Sequence, residues 1–213
     1  MRKVFLSNIV LVSLVPTKYF SDDLNLNGKN YKFPLSYLIN SEVKAKDEVV
    51  IITGVEKSVN GKNRAEEYYA LYKNEIEEIL KERDVNIKFI EIWQKNKFDS
   101  LTFNEFFKEI ADNIHDDDIL YADITFGMKP YTISLFVALS YITKAAVNVD
   151  LDTIIYAGRY NGTDEIKDIN CSQIYDLTGL FYLNALSGRA VQGQREELDN
   201  LLKFIIEWYL NIY

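Results

Sequence analysis

The sequence predicts an α/β protein built on a doubly wound, mostly parallel sheet. Three observations carry that expectation. Apolar runs rich in Val, Ile and Leu recur along the chain, as expected of strands covered on both faces. Stretches with apolar residues at helical spacing separate them. Turn-forming pairs such as Asn27-Gly28 and Asn161-Gly162 punctuate the joins.

Taken in order, Lys3 to Val15 reads as the first buried strand, interrupted by Ser7, Asn8 and Ser13. A loop, Pro16 to Tyr19, follows it. Asn27-Gly28 then predicts a hairpin between Tyr19–Leu24 and Lys29–Phe33. Pro34 opens a short helix with Leu35, Leu38 and Ile39 on one face. Glu48 to Thr53 is the second strand. A long helix spans about Asn63 to Arg83, with Tyr69, Tyr72, Ile76 and Leu80 in register. Asn86 to Trp93 is the third strand, and Gln94 to Phe98 a loop at its end. Thr102, with Glu105 three residues on, reads as a capping box starting a helix to Ile114. His115-Asp116-Asp117-Asp118 reads as a solvated acidic turn.

Ile119 to Asp123 is the fourth strand, and the helix after it, Pro130 to Val147, is apolar nearly all round. Such a helix is buried or lies at an interface. Thr153 to Tyr160 is the fifth strand, with Glu165–Ile169 as its hairpin partner. A helix from Asp176 to Leu186 ends at Ser187-Gly188. An amphipathic helix, Gln194 to Asn211, closes the chain. Residues 1–185 form the α/β domain and residues 186–213 a C-terminal helical extension.

Composition narrows the function. The chain has 213 residues, 48% of them hydrophobic, and a net charge of −8. An acidic chain lacks the basic face that duplex nucleic acid requires. One Cys and one His build neither an internal disulfide nor a closed zinc site. The apolar run near the N-terminus is short and interrupted, which predicts a strand and a cytoplasmic protein without a membrane span. There is no Gly-x-Gly-x-x-Gly, phosphate loop or Gly-x-Ser-x-Gly elbow.

In doubly wound folds, ligands collect beyond the carboxyl ends of the strands. Here those ends carry Thr17, Lys18 and Tyr19; Thr53 and Gly54; Gln94 and Asn96; and the stretch Asp123-Ile124-Thr125-Phe126-Gly127-Met128-Lys129-Pro130. The last reads as a strand, a tight turn and a helix start. Its first-turn N–H groups, helix dipole, Thr125 hydroxyl and Lys129 ammonium suit an anion. Gly127 allows close approach to the backbone, and Asp123 fixes the turn by accepting backbone N–H bonds.

Asp123 to Lys129 resembles the Asp-x-Thr-x-Gly-x-Arg/Lys signature of CRISPR-associated Rossmann-fold (CARF) proteins. Leu14 to Tyr19, Thr53-Gly54, Ile154 to Gly158 and Ile174 to Thr178 resemble further segments of that family, over the first 185 residues. Phe126 stands where His or Asn is frequent, and Lys129 where Arg is frequent. The resemblance implies a homodimer that senses a cyclic oligoadenylate, cyclic tetra-adenylate (cA4) or hexa-adenylate (cA6), in type III CRISPR antiviral signalling. By the same resemblance, Thr125, Gly127, Met128 and Lys129 cradle phosphates and riboses, and Thr17, Lys18 and Tyr19 form the opposite wall. Gln94 and Asn96 lie near adenine edges. No cofactor or metal is implied. The final helix is then a dimer contact or the start of a linker to an effector domain or protein. Two alternatives stay open: metal-independent ring cleavage by a ribose 2′-OH, with Lys129, Lys18 and Thr125 as the catalytic candidates, and a nucleotide- or phosphosugar-binding α/β protein outside that family.

Overall fold

A computed structural model describes residues 1–9, 18–20, 31–56, 64–94, 99–159, 171–188 and 195–212. The expected α/β architecture is present. In chain order the elements are β1 (Arg2–Ile9), β2 (Lys18–Phe20), α1 (Leu35–Glu42), β3 (Glu48–Glu56), α2 (Arg64–Leu80), β4 (Asn86–Gln94), α3 (Ser100–Ala111), β5 (Ile119–Asp123), α4 (Lys129–Ala145), β6 (Asp150–Arg159), β7 (Cys171–Asp176), α5 (Thr178–Ser187) and α6 (Arg195–Ile212).

The strands form one seven-stranded sheet in the order β2-β7-β6-β5-β1-β3-β4. β4, β3, β1, β5 and β6 are mutually parallel, whereas β7 runs antiparallel to β6. β2 pairs parallel to β7. The winding reverses between β1 and β5, so a topological switch point opens at their carboxyl ends.

The apolar runs explain the two layers. Alternate residues of β1 face opposite sides: Phe5 joins the core under α1 and α2, while Val4 and Leu6 join the core under α3, α4 and α5. Both cores are close-packed with aromatic contacts. Phe5 stacks on Tyr121 at 4.7 Å, and Tyr131 meets Phe106 edge-on at 4.9 Å.

Several local expectations change. The α3 cap is Asp99, not Thr102. Asp99 has extended backbone angles and its carboxylate accepts the Thr102 N–H at 2.9 Å. The His115–Asp118 turn is not simply solvated: Asp118 is fully buried and paired with Arg2 of β1. The antiparallel partner of β6 is β7, at Cys171–Asp176. The segment Glu165–Ile169, the Asn161-Gly162 turn and the Asn27-Gly28 turn lie outside the described residues. Lys18 and Tyr19 sit in β2 rather than in a loop. Among the described residues, no helix is long and apolar enough to cross a membrane.

Candidate functional site: the loop at the switch point

The site grows from the end of β5. Asp123 is almost fully buried, and its Oδ1 accepts the Thr125 N–H at 2.8 Å. This is the side-chain turn expected of an Asp two residues ahead of its donor. Burial pushes the Asp123 carboxyl up to about 6, while hydrogen bonds from the Thr125 hydroxyl and backbone and from the Leu35 backbone pull the other way. One carboxylate therefore shapes the β5 turn and also ties it to the start of α1.

Thr125 is committed on both sides. Its hydroxyl bonds to Asp123, and its Oγ1 accepts the Ala157 N–H of β6 at 2.7 Å. The Ile124 N–H also reaches the Ile155 carbonyl at 2.9 Å. The first half of the loop is thus stitched to β6, and Thr125 acts as a strut for the turn.

Gly127 has a φ of 113°, a conformation that L side chains rarely adopt. Space demands glycine as well. An added Cβ would sit 2.9 Å from Asn8 Cβ and 3.1 Å from Asn8 Nδ2. The turn therefore lies directly on the end of β1, across the switch point.

α4 begins with Met128 in extended geometry and without a side-chain cap. Pro130 has no N–H, and the Tyr131 N–H closes on the Met128 carbonyl at 2.9 Å, beside the ordinary helical bond from Thr132 at 3.1 Å. The helix thus offers fewer first-turn donors than its sequence position suggests. What it does offer is charge. Lys129 and Pro130 are exposed, and the first turn contains no acidic residue. The ammonium and the positive dipole end are not cancelled locally, although the chain as a whole is acidic.

The remaining predicted residues form the floor. Thr53 is fully buried beside Ser7, whose hydroxyl lies 3.1 Å from the Tyr72 hydroxyl. Gly54 is buried on the other face, where an added Cβ would lie 2.2 Å from Asn8 Oδ1 and 2.9 Å from Phe106. Gln94 is also buried, and its Nε2 donates to Asn8 Oδ1 at 2.9 Å. Asn8 Nδ2 and Gln94 Oε1 have no hydrogen-bond partner. The structure therefore brings Thr53, Gly54, Gln94, Asp123 and Thr125 to Pro130 to one edge, with Lys129 and Pro130 at its surface. Lys18 reaches the same edge through β7: it pairs with Cys171, beside the Ser172–Arg159 pair that ends β6. Thr17 and Asn96 lie outside the described residues.

Asn8 is the residue that sequence reasoning missed. In the linear chain it only interrupts an apolar strand. In the fold it is the polar hub between Gly54, Gln94 and Gly127. The available signal was its position near the carboxyl end of the central strand of a doubly wound sheet. Among the described residues, no cluster of three or more His, Cys, Asp or Glu side chains is placed to hold a metal ion.

The fold and this loop place the chain in the class of Rossmann-like, doubly wound α/β proteins, with a positively charged turn at the switch point. Compared with models of known protein families and with curated proteins, the chain gives no match.

Proposed function

We propose that this chain binds a cyclic oligoadenylate, cA4 or cA6, as one half of a homodimeric CARF-type sensor in type III CRISPR signalling. The observation that carries the reading is the Asp123–Lys129 loop. Its aspartate and threonine hold the turn from beneath, its glycine lies against β1, and Lys129 stands at the acid-free start of α4. That arrangement suits a phosphodiester more than a neutral ligand. The outer face of α4 supports the dimeric half of the reading. Ile133, Val137 and Tyr141 recur every four residues and are 63, 49 and 52% exposed. Through such a face a second copy brings a second Lys129 toward the same ring, and a symmetric ligand suits a two-fold axis.

Isothermal titration of the protein with cA4 and with cA6 tests the reading. Saturable binding of one ring per two chains supports it. Absence of binding by both rings rejects it.

A further inference from the structure

Next to the loop, on the α4 face of the sheet, two tyrosines stand out. Tyr156 of β6 and Tyr175 of β7 are directly paired across the antiparallel ladder. Their ring planes are 24° apart and their centroids 6.5 Å apart, and they remain 42 and 39% exposed. Both lean over Gly158, two residues along β6. A Cβ there would meet Tyr175 Cε2 at 3.2 Å and Tyr156 Cε1 at 3.3 Å. Glycine at 158 therefore lets the rings lie over the strand toward its carboxyl end.

Cross-strand aromatic pairs ordinarily stabilise a sheet by covering apolar surface. Here the two rings stay partly open to solvent although Ile154, on the same face, is fully buried, so they are not sealed into the core. Side-chain alternation fixes which face they occupy. Ile155, Ile174 and Ala157 belong to the α1–α2 core and Ile154 to the α4 core, so Tyr156 and Tyr175 share the α4 side. Residue 157, between Tyr156 and Gly158, donates its N–H to Thr125. The strand that carries Tyr156 is thus tied, one residue further on, to the loop that carries Lys129.

We infer that Tyr156 and Tyr175 form a platform on which a nucleobase stacks while its phosphate is held by the Lys129 end of α4. The inference rests on the sensor reading for the identity of the ligand. It adds the base subsite, which the loop residues do not supply. The occupant is a nucleotide because the site joins an aromatic surface to a cationic turn, and only the sensor reading makes its base adenine. A phenol face tolerates any base, so the platform provides affinity and orientation rather than base identity.

The test uses the whole chain and a linear tetra-adenylate carrying one 2-aminopurine, a base whose fluorescence is quenched by stacking. Wild type is expected to bind the probe and quench it. The double variant Tyr156→Ala/Tyr175→Ala is expected to bind about tenfold or more weakly and to lose the quench. Tyr156→Phe/Tyr175→Phe is expected to retain both. Equal affinity and quench in the alanine variant overturn the platform, as does failure of wild type to bind the probe. Sedimentation velocity on the same variants covers the other occupant: a dimer lost in the alanine variant with the quench intact assigns the tyrosines to a contact between copies and overturns the proposal. If the linear probe binds and quenches but neither ring binds, the platform stands and the sensor reading fails.

Discussion

Gln94 Nε2 donates to Asn8 Oδ1 at 2.9 Å across the intervening strand β3, directly over Gly54. The bridge exists because β3 has no side chain at that position. A Cβ at residue 54 would stand 2.2 Å from Asn8 Oδ1 and 2.8 Å from Gln94 Nε2. Gly54→Ala is therefore expected to split the amide pair and to overpack this corner of the sheet, costing about 1–3 kcal/mol. Urea denaturation measures the loss. A stability equal to wild type would show that the amides rearrange freely and that the bridge does not organise the site.

The same bridge shows what a linear reading reaches. The parallel sheet was legible because strands buried on both faces, such as Val49 to Ile52, must be apolar throughout. The Asp123 turn was legible because its partner, Thr125, is two residues away. Asn8 was not, since its partner Gln94 lies 86 residues on. Asp118 was misread as solvated for the same reason: Arg2, its counter-ion, is 116 positions away. The first turn of α4 was over-read. The sequence shows the proline, but the closure of the Tyr131 N–H on the Met128 carbonyl appears only in three dimensions.

Arg2 and Asp118 supply a stability prediction of their own. Asp118 is fully buried and accepts from both Arg2 and the His115 backbone. Arg2→Ala leaves that carboxylate without its cation in a desolvated position. The expected loss is about 3–5 kcal/mol. Asp118→Asn in the Arg2→Ala background should recover part of it, because the uncompensated charge is gone. A denaturation series on the single and double variants checks this. No recovery in the double variant would mean the pair acts through packing alone.

Asp123 links the site to pH. Its carboxyl is raised from the ordinary 3.8 to about 6, with burial as the leading cause. The folded state therefore holds the proton more tightly than the unfolded chain. Protonation stabilises the fold most below the unfolded value, and that contribution is lost as pH rises from about 4 through about 6. Its size is of order 3 kcal/mol. In Asp123→Asn the slope of stability over that window should flatten. Unchanged pH dependence in this variant would assign the slope to other carboxyls.

Gly127 separates loop shape from fold stability. Its φ of 113° and its contact with Asn8 both exclude a side chain. On the proposed sensor reading, Gly127→Ala is expected to displace the turn and to weaken binding of a cyclic oligoadenylate at least tenfold. The sheet should still form, because the strands on either side are buried independently of the turn. Calorimetric titration beside a thermal melt distinguishes the two effects. Full affinity in the variant would show that the turn tolerates another backbone conformation and does not shape the site.

Lys129 offers the most direct test of the charge argument. It is exposed, and its helix begins without acidic neighbours in the first turn. Lys129→Ala should leave stability within about 0.5 kcal/mol of wild type, as for a surface substitution away from structural features. On the proposed sensor reading, binding of the ring should fall, and its dependence on salt should flatten, because one cation per chain would no longer meet a phosphate. Lys129→Arg should preserve both. Rings titrated at low and moderate ionic strength give the two readouts together. An unchanged salt slope in Lys129→Ala would place the phosphates elsewhere on the carboxyl edge, with Lys18 at the start of β2 as the next cation to replace.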